Sequence, residues 1–401
     1  MNKELAFSSV ENCLRWTENV MLTFDRGYWG VYERIRIDRN ERVCHCRPDT
    51  SSELAKTLFL YEKESGKTDR KDIYENQIEW LRRVQNENGS FCFAFADGTP
   101  AYYVIRTRFP NDNGKILLNL LALYRETGDK RTLDMAVRLA DYWADNQTER
   151  GNYFSETEKQ FMCKSFLGPC FGLWMAAGMV DCWKITGNER YLSSAKKNFA
   201  YMQRLIVNGR MQTSMEQTQD PDEFWRPVSS ENAMALYAFA HAWRSYPDPA
   251  WKAACENILP FFLGLVDEKT GAVRNCDASS MDASQNNDPD LCDFVYTQGF
   301  ALHAFLELYE AFGDGAMLAR AEKLADWIVS VQCRGESPKW DGSWRGAISL
   351  STGKWAGRCN QNNAILDEGG EFSAYTGWSA YPICMGLLRL VRCLENEKLK
   401  K

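Results

Sequence analysis

The chain has 401 residues and a net charge of −6, with 48 Lys and Arg against 54 Asp and Glu. Apolar residues make up 45% and charged residues 25%, an ordinary globular mixture that excludes a disordered, collagen-like or purely coiled-coil chain. With no basic footprint for a phosphate backbone, no nucleic-acid partner is expected.

Apolar spacing at three and four residues predicts twelve helices: 5–22, 49–65, 69–87, 112–127, 130–147, 168–187, 189–207, 229–246, 248–266, 296–313, 315–332 and 374–396. No signal-type apolar run opens the sequence, and the longest apolar stretch, 171–180, is about half a membrane span. A cytoplasmic protein that meets no membrane is expected.

Two strings recur along these helices. The first is an aromatic residue followed by a tight turn, at Tyr61, Tyr124, Trp183, Trp243 and Tyr309, with steps of 63, 59, 60 and 66 residues. Each marks a helical hairpin closed by Gly or Pro. The second is a Trp, then often a Gln, then a Gly followed by a bulky residue. Trp80, Gln85, Gly89 and Phe91 show it, as do Trp143, Gln147, Gly151 and Tyr153, and Trp327, Gln332, Gly342 and Trp344. Repeats of this length build stacked arrays. The first and last helices have no neighbour in sequence to pair with, and closing the array into a ring pairs them with each other. The fold expected is all-α, an (α/α)6 toroid of six helical hairpins formed by residues 1–401 as one domain.

Connections within hairpins are short. Those between hairpins are long, over about 23–48, 88–111, 148–167, 208–228, 267–295 and 333–373. In a toroid these all lie on one face, at the mouth where the inner helices begin, and long ordered loops commonly carry function. They are rich in aromatic residues. Tyr102, Tyr103, Trp225, Trp344 and Trp355 are candidates to stack on sugar rings, with core packing as the alternative for each.

The repeat also aligns acids. Twelve residues before the aromatic landmarks lie Asp49, Asp112, Phe171, Glu231 and Thr297. Acids at helix starts serve as caps, or as the paired carboxylates of acid/base chemistry around a cleft. Asp112 leads this set, with Asp49, Glu231 or Asp293 as partner. Arg47, Arg106 and His45 in the same loops suit an acidic ligand. No Ser-His-Asp arrangement, phosphate loop or dinucleotide fingerprint is legible. Cys44-His45-Cys46 lacks a second ligand pair at zinc spacing, so neither metal nor cofactor is expected.

The sixty-residue hairpin repeat, the returns NGSF (88–91) and DGSW (341–344) and the loaded face resemble the six-hairpin glycosidases over nearly the whole chain. Within that superfamily the chain is similar to the unsaturated glucuronyl and rhamnogalacturonyl hydrolases. The resemblance implies a glycoside hydrolase acting on short, acidic, uronic-acid-containing oligosaccharides. Asp112 falls where those enzymes place an aspartate that opens the fourth helix. The chain departs from them at Leu167–Phe171, which has no acid at the start of the sixth helix. A lyase using Tyr102 or Tyr103 with arginine, an epimerase, or a non-catalytic carbohydrate-binding toroid are the alternatives.

Overall fold

The structure, a computed structural model, describes residues 1–23, 30–96, 104–105, 108–153, 172–211, 228–280, 288–357 and 370–400. Among them are twelve α-helices: α1 (Lys3–Trp16), α2 (Pro48–Ser65), α3 (Lys71–Val84), α4 (Pro110–Thr127), α5 (Lys130–Asp145), α6 (Leu173–Thr186), α7 (Glu189–Gln203), α8 (Val228–Ser245), α9 (Pro249–Gly264), α10 (Gln298–Phe312), α11 (Gly315–Ser330) and α12 (Tyr381–Leu399). Each falls where the apolar spacing puts one. None is long and apolar enough to cross a membrane.

The even-numbered helices form an inner ring. Each packs on the next, α2 on α4 and so on to α12, which returns to α2. The odd-numbered helices lie outside, and α1 packs on α12 to complete the sixth hairpin. Inner helices carry small and apolar residues on every side, as in α8, where Ala233–Ala240 are all buried. Outer helices are amphipathic and bury one stripe, such as Met135, Ala136, Leu139 and Trp143 of α5.

The aromatic-plus-turn string is a double cap. Gly128, Gly187 and Gly313 end inner helices in the left-handed conformation. One residue later Asp129, Asn188 and Asp314 start the outer helices, their side chains accepting the backbone N–H two residues on. Such a cap contributes about 1 kcal/mol. Two residues thus stop one helix and start the next.

The Trp-Gln-Gly string fastens each outer helix to the following one. Gly89, Gly151, Gly209, Gly271 and Gly342 all have positive φ and lie against α5, α7, α9, α11 and α1 respectively. A Cβ at Gly89, Gly151 or Gly342 would overlap the backbone carbonyls of Arg138, Lys197 and Asn12, and at Gly209 it would sit 2.8 Å from the Asn257 oxygen. The glutamines strengthen the same junction. Gln85 donates to the carbonyls of Gly89 and Met135, Gln147 to those of Gly151 and Ser194, and Gln332 to those of Gly342 and Ser9. The residues that follow Asp112 and Glu231, Asn113 and Asn232, tie the next bulky residue to the inner ring. Asn113 brackets the backbone of Phe91, and Asn232 accepts from the Met211 amide.

The connections contain short strands where loop, and for 206–207 and 374–375 helix, is expected. β1 (Tyr32–Arg36), β2 (Glu41–Cys46), β3 (Ala94–Ala96), β4 (Val104–Ile105) and β9 (Ser373–Tyr375) form an antiparallel sheet in the order β4-β3-β2-β1-β9. β5 (Ile206–Val207) pairs with β6 (Arg210–Met211), and β7 (Leu291–Asp293) with β8 (Ala347–Ser349). The sheet stitches loops far apart in sequence into one lid over the start of α2, as when Arg34 pairs with Tyr375. Its register comes from long-range pairing, which helical periodicity does not encode.

Gly209 and Gly128 have nearly the same φ, +74° and +71°, but only Gly209 faces a neighbouring helix. Gly128→Ala should cost about 1–2 kcal/mol for the left-handed backbone alone. Gly209→Ala should cost a further 1–3 kcal/mol of overpacking. Urea unfolding of the two variants measures the difference, and equal losses would show that the close approach does not matter.

Candidate functional site

At the mouth the inner helices present their first turns. Two of them open with proline at the first helical position, Pro48 in α2 and Pro110 in α4, where a missing N–H costs nothing. The acids that follow, Asp49 and Asp112, lie in the first turn, where the helix dipole favours negative charge.

Arg47, the residue before α2, gathers these acids. Its guanidinium donates to both oxygens of Asp49 at 3.0 and 3.1 Å, to Glu33 of β1 at 2.9 Å and to the Tyr375 hydroxyl of β9 at 3.1 Å. It also meets Asp112 at 2.9 Å. The side chain is only 3% exposed, and it lies over Phe93 at 4.2 Å. Three carboxylates on three elements therefore share one cation. Burial opposes the charge on Asp49, but Arg47 and Lys115 override it and hold its carboxyl below the ordinary range. Arg47 is raised well above its ordinary value, Asp112 being the strongest of the acids that outweigh its burial.

Behind this clamp lie Glu53 and Lys115, paired at 2.7 Å. Burial, reinforced by Asp49 and opposed by Lys115, pushes the Glu53 carboxyl up to about 7. Trp378 closes the layer. Its indole N–H donates to Asp49 at 2.8 Å, its backbone N–H to Glu53 at 3.3 Å, and the Lys115 ammonium sits 3.5 Å from its ring centre. Trp378 has φ +58°, a conformation that costs a non-glycine residue about 1–3 kcal/mol and persists only where neighbours enforce it. Phe300 and Trp174 continue the aromatic layer across the barrel, at 5.7 and 5.1 Å between successive ring centres.

The remaining expected site residues are spread round the mouth. Asp112 keeps a 9% exposed side chain. Glu231 is buried in the first turn of α8. Asp293 ends β7 and accepts the Tyr296 amide at 2.6 Å, and burial pushes its carboxyl up to about 7 although backbone N–H groups pull the other way. His45 is half-buried on β2 opposite Ala96. Trp355 is half-buried, edge-on to Phe294 at 5.6 Å. Tyr102, Tyr103, Arg106, Trp225 and the acid-free start of the sixth helix at 168–171 lie outside the described residues.

The structure sharpens three expectations. Asp49 has a side chain with no exposed surface and is held by Arg47 and the Trp378 indole. Arg47 directs its donors to the protein's own carboxylates, Glu33, Asp49 and Asp112. Trp344 is fully buried with its indole N–H on the Ile328 carbonyl at 2.8 Å, which makes it core and removes it from the sugar-stacking set. Glu33, Glu53, Lys115, Tyr375 and Trp378 escape the sequence reading. For two of them a signal exists: Glu53 is one helical turn after Asp49 and Lys115 one turn after Asp112, hence on the same faces. Trp378 sits in a segment whose apolar spacing predicts helix, yet the helix begins only at Tyr381. Among the described residues no group of three or more His, Cys, Asp or Glu is placed to hold a metal ion.

Asp293 carries a pH signature. Between about pH 4 and 7 the folded protein keeps a proton on this carboxyl that the unfolded chain has released, so stability falls as pH rises through that window. Asp293→Asn removes the effect. The variant should gain on the wild type across the window by up to about 4 kcal/mol, at 1.36 kcal/mol per pH unit. Melting curves from pH 4 to 8 read this, and a flat or opposite difference would refute the buried protonated carboxyl.

Residues 49–226 match the family described as the beta-L-arabinofuranosidase GH127 catalytic domain. Among solved structures, the cellobiose 2-epimerase from Spirochaeta thermophila superposes with a TM-score of 0.68 at 15% identity, over 98% of this chain and 96% of that one. An unsaturated glucuronyl hydrolase specific for heparin gives 0.66 at 14% identity, over 99% of each chain. The GH76 alpha-mannanase from Bacteroides thetaiotaomicron gives 0.65 at 13% identity, over 98% and 97%. The ring of inner and outer helices is thus an (α/α)6 toroid, the fold shared with these structures.

Proposed function

We propose that the chain is a carbohydrate-active enzyme, a glycoside hydrolase that attacks short acidic oligosaccharides by carboxylate acid/base catalysis at the mouth of the toroid. The observation that carries this reading is Asp112. It stands in the first turn of an inner helix, fixed from behind by Arg47, and of the two aspartates in the clamp it is the one with exposed side-chain surface. Glycoside hydrolysis needs one carboxyl that stays ionised and one that holds its proton near neutral pH. The ionised role falls to Asp112, with its oxygen 2.9 Å from a guanidinium. Asp293 is the protonated partner this reading favours, because its carboxyl titrates at about 7. The solved relatives named above act on sugars, and the matched family is one of glycosidases. The acidic class of substrate rests on His45 of β2 and, from the sequence alone, on Arg106.

The test is turnover of a panel of uronic-acid glycosides by wild type and Asp112→Asn, with circular dichroism to confirm that the variant is folded. A loss of roughly 10²–10⁴-fold in kcat is expected for an acid/base group, and unchanged turnover would overturn the assignment. Ultraviolet absorbance of a conjugated double bond in the product separates the chemistries. It appears with a lyase, disappears with an unsaturated-sugar hydrolase and does not change with an ordinary hydrolase. Affinity without any product would leave a binding toroid.

A further inference from the structure

The opposite end of the barrel holds a cavity of about 360 Å³, within the range of small-molecule sites. A ring of charged residues, one from each inner helix, surrounds it; all but the buried Asp181 line its wall, together with the cations Lys184, Arg244 and Arg392 and the acids Glu126 and Glu310. In order the ring residues are Lys56 of α2, Arg125 of α4, Asp181 of α6, His241 of α8, Glu307 of α10 and Arg389 of α12. The signs alternate from Arg125 onward, and each neighbour pairs with the next. Arg125 meets Asp181 at 3.1 Å, Asp181 meets His241 at 3.0 Å, His241 meets Glu307 at 3.1 Å and Glu307 meets Arg389 at 2.8 Å. Two acids hold the imidazole protonated against its burial, with a pKa of about 9.

The alternation fails at Lys56. Its ring neighbours on both sides are cations, Arg389 and Arg125, although Arg389 also pairs with Glu310 at 2.7 Å and Glu126 of α4 lines the same wall. The Lys56 ammonium donates to the neutral amide of Asn119 at 3.3 Å, and among the described residues it has no carboxylate partner. Burial and the flanking Arg389 and Arg125 pull its pKa down to about 8. Compensation of a helix dipole does not explain it, because Lys56 lies mid-way along α2 and the dipole acts within the last turn. A half-buried cation between two other cations is met favourably by a group of opposite charge.

We propose that this part of the cavity is a second binding site, for a small molecule bearing a phosphate or carboxylate group, seated between Lys56, Arg125 and Arg389. The neutral Tyr237 and His303, which also line the cavity, would meet the uncharged part of the ligand. The site is separate from Asp112 and does not depend on what the mouth catalyses.

Calorimetric titration of the full chain with inorganic phosphate, with glucuronate and with neutral glucose tests it. Saturable binding of phosphate or glucuronate, with none of glucose, is expected, and which anion binds identifies the group. Lys56→Met should weaken that binding roughly tenfold or more, and Arg389→Gln should do so as well. Asp112→Asn should bind phosphate as the wild type does. Absence of binding by either anion overturns the proposal, as does undiminished binding by both Lys56→Met and Arg389→Gln. Loss in Asp112→Asn alone would place the anion at the mouth and would equally overturn it.

Discussion

The architecture depends on a backbone contact. Five glycines, one after each outer helix from α3 to α11 in turn, let the chain lie against the backbone of the following outer helix closer than a side chain permits. That contact fixes the angle between successive hairpins. A ring closes only if six such angles add to a full turn, so a small error at each junction would accumulate into an open spiral. A glutamine amide spans the same junction in three of the units. The contact is thus held by hydrogen bonds that cannot lengthen without losing energy, and the ring geometry is set by covalent dimensions more than by the fit of side chains.

Much of this was legible from residues alone, because repeats report on themselves. The turn string names the capping Gly and Asp, and the Trp-Gln-Gly string names the junction. What could not be read is whatever departs from the repeat. Arg47, Glu33 and Tyr375 meet because β1 pairs with β9 across more than three hundred residues, and no local period encodes that pairing. Trp378 breaks the helical pattern it is embedded in. Trp344 illustrates the reverse case: it looks like a loop residue by position, but it occupies the core place that the repeat reserves for a bulky side chain after glycine.

The two ends of the barrel use charge differently. At the mouth one guanidinium serves three carboxylates, an arrangement that concentrates negative charge and lets a single acid reach the surface. At the far end single charges alternate round the ring, a pattern that ties five of the six inner helices together by pairs and leaves Lys56 of α2 between two cations. The far cluster sits on the inner helices, whereas the mouth cluster joins the first turns of α2 and α4 to β1, β9 and Trp378. Buried pairs of this kind add little to stability once desolvation is counted, so their role lies in fixing geometry.

The pairing of α1 with α12 also governs the order in which the protein can be made. A chain emerging from the ribosome can form its middle hairpins as they appear, since each packs on the one before. The first helix must wait with its apolar face uncovered until the twelfth arrives. Trp378 and Arg389 arrive with that last hairpin half, and each completes one of the two charged clusters. A chain whose synthesis stops short of it therefore carries neither cluster intact and exposes the seam of the ring, which marks it as incomplete to any machinery that recognises bare apolar surface.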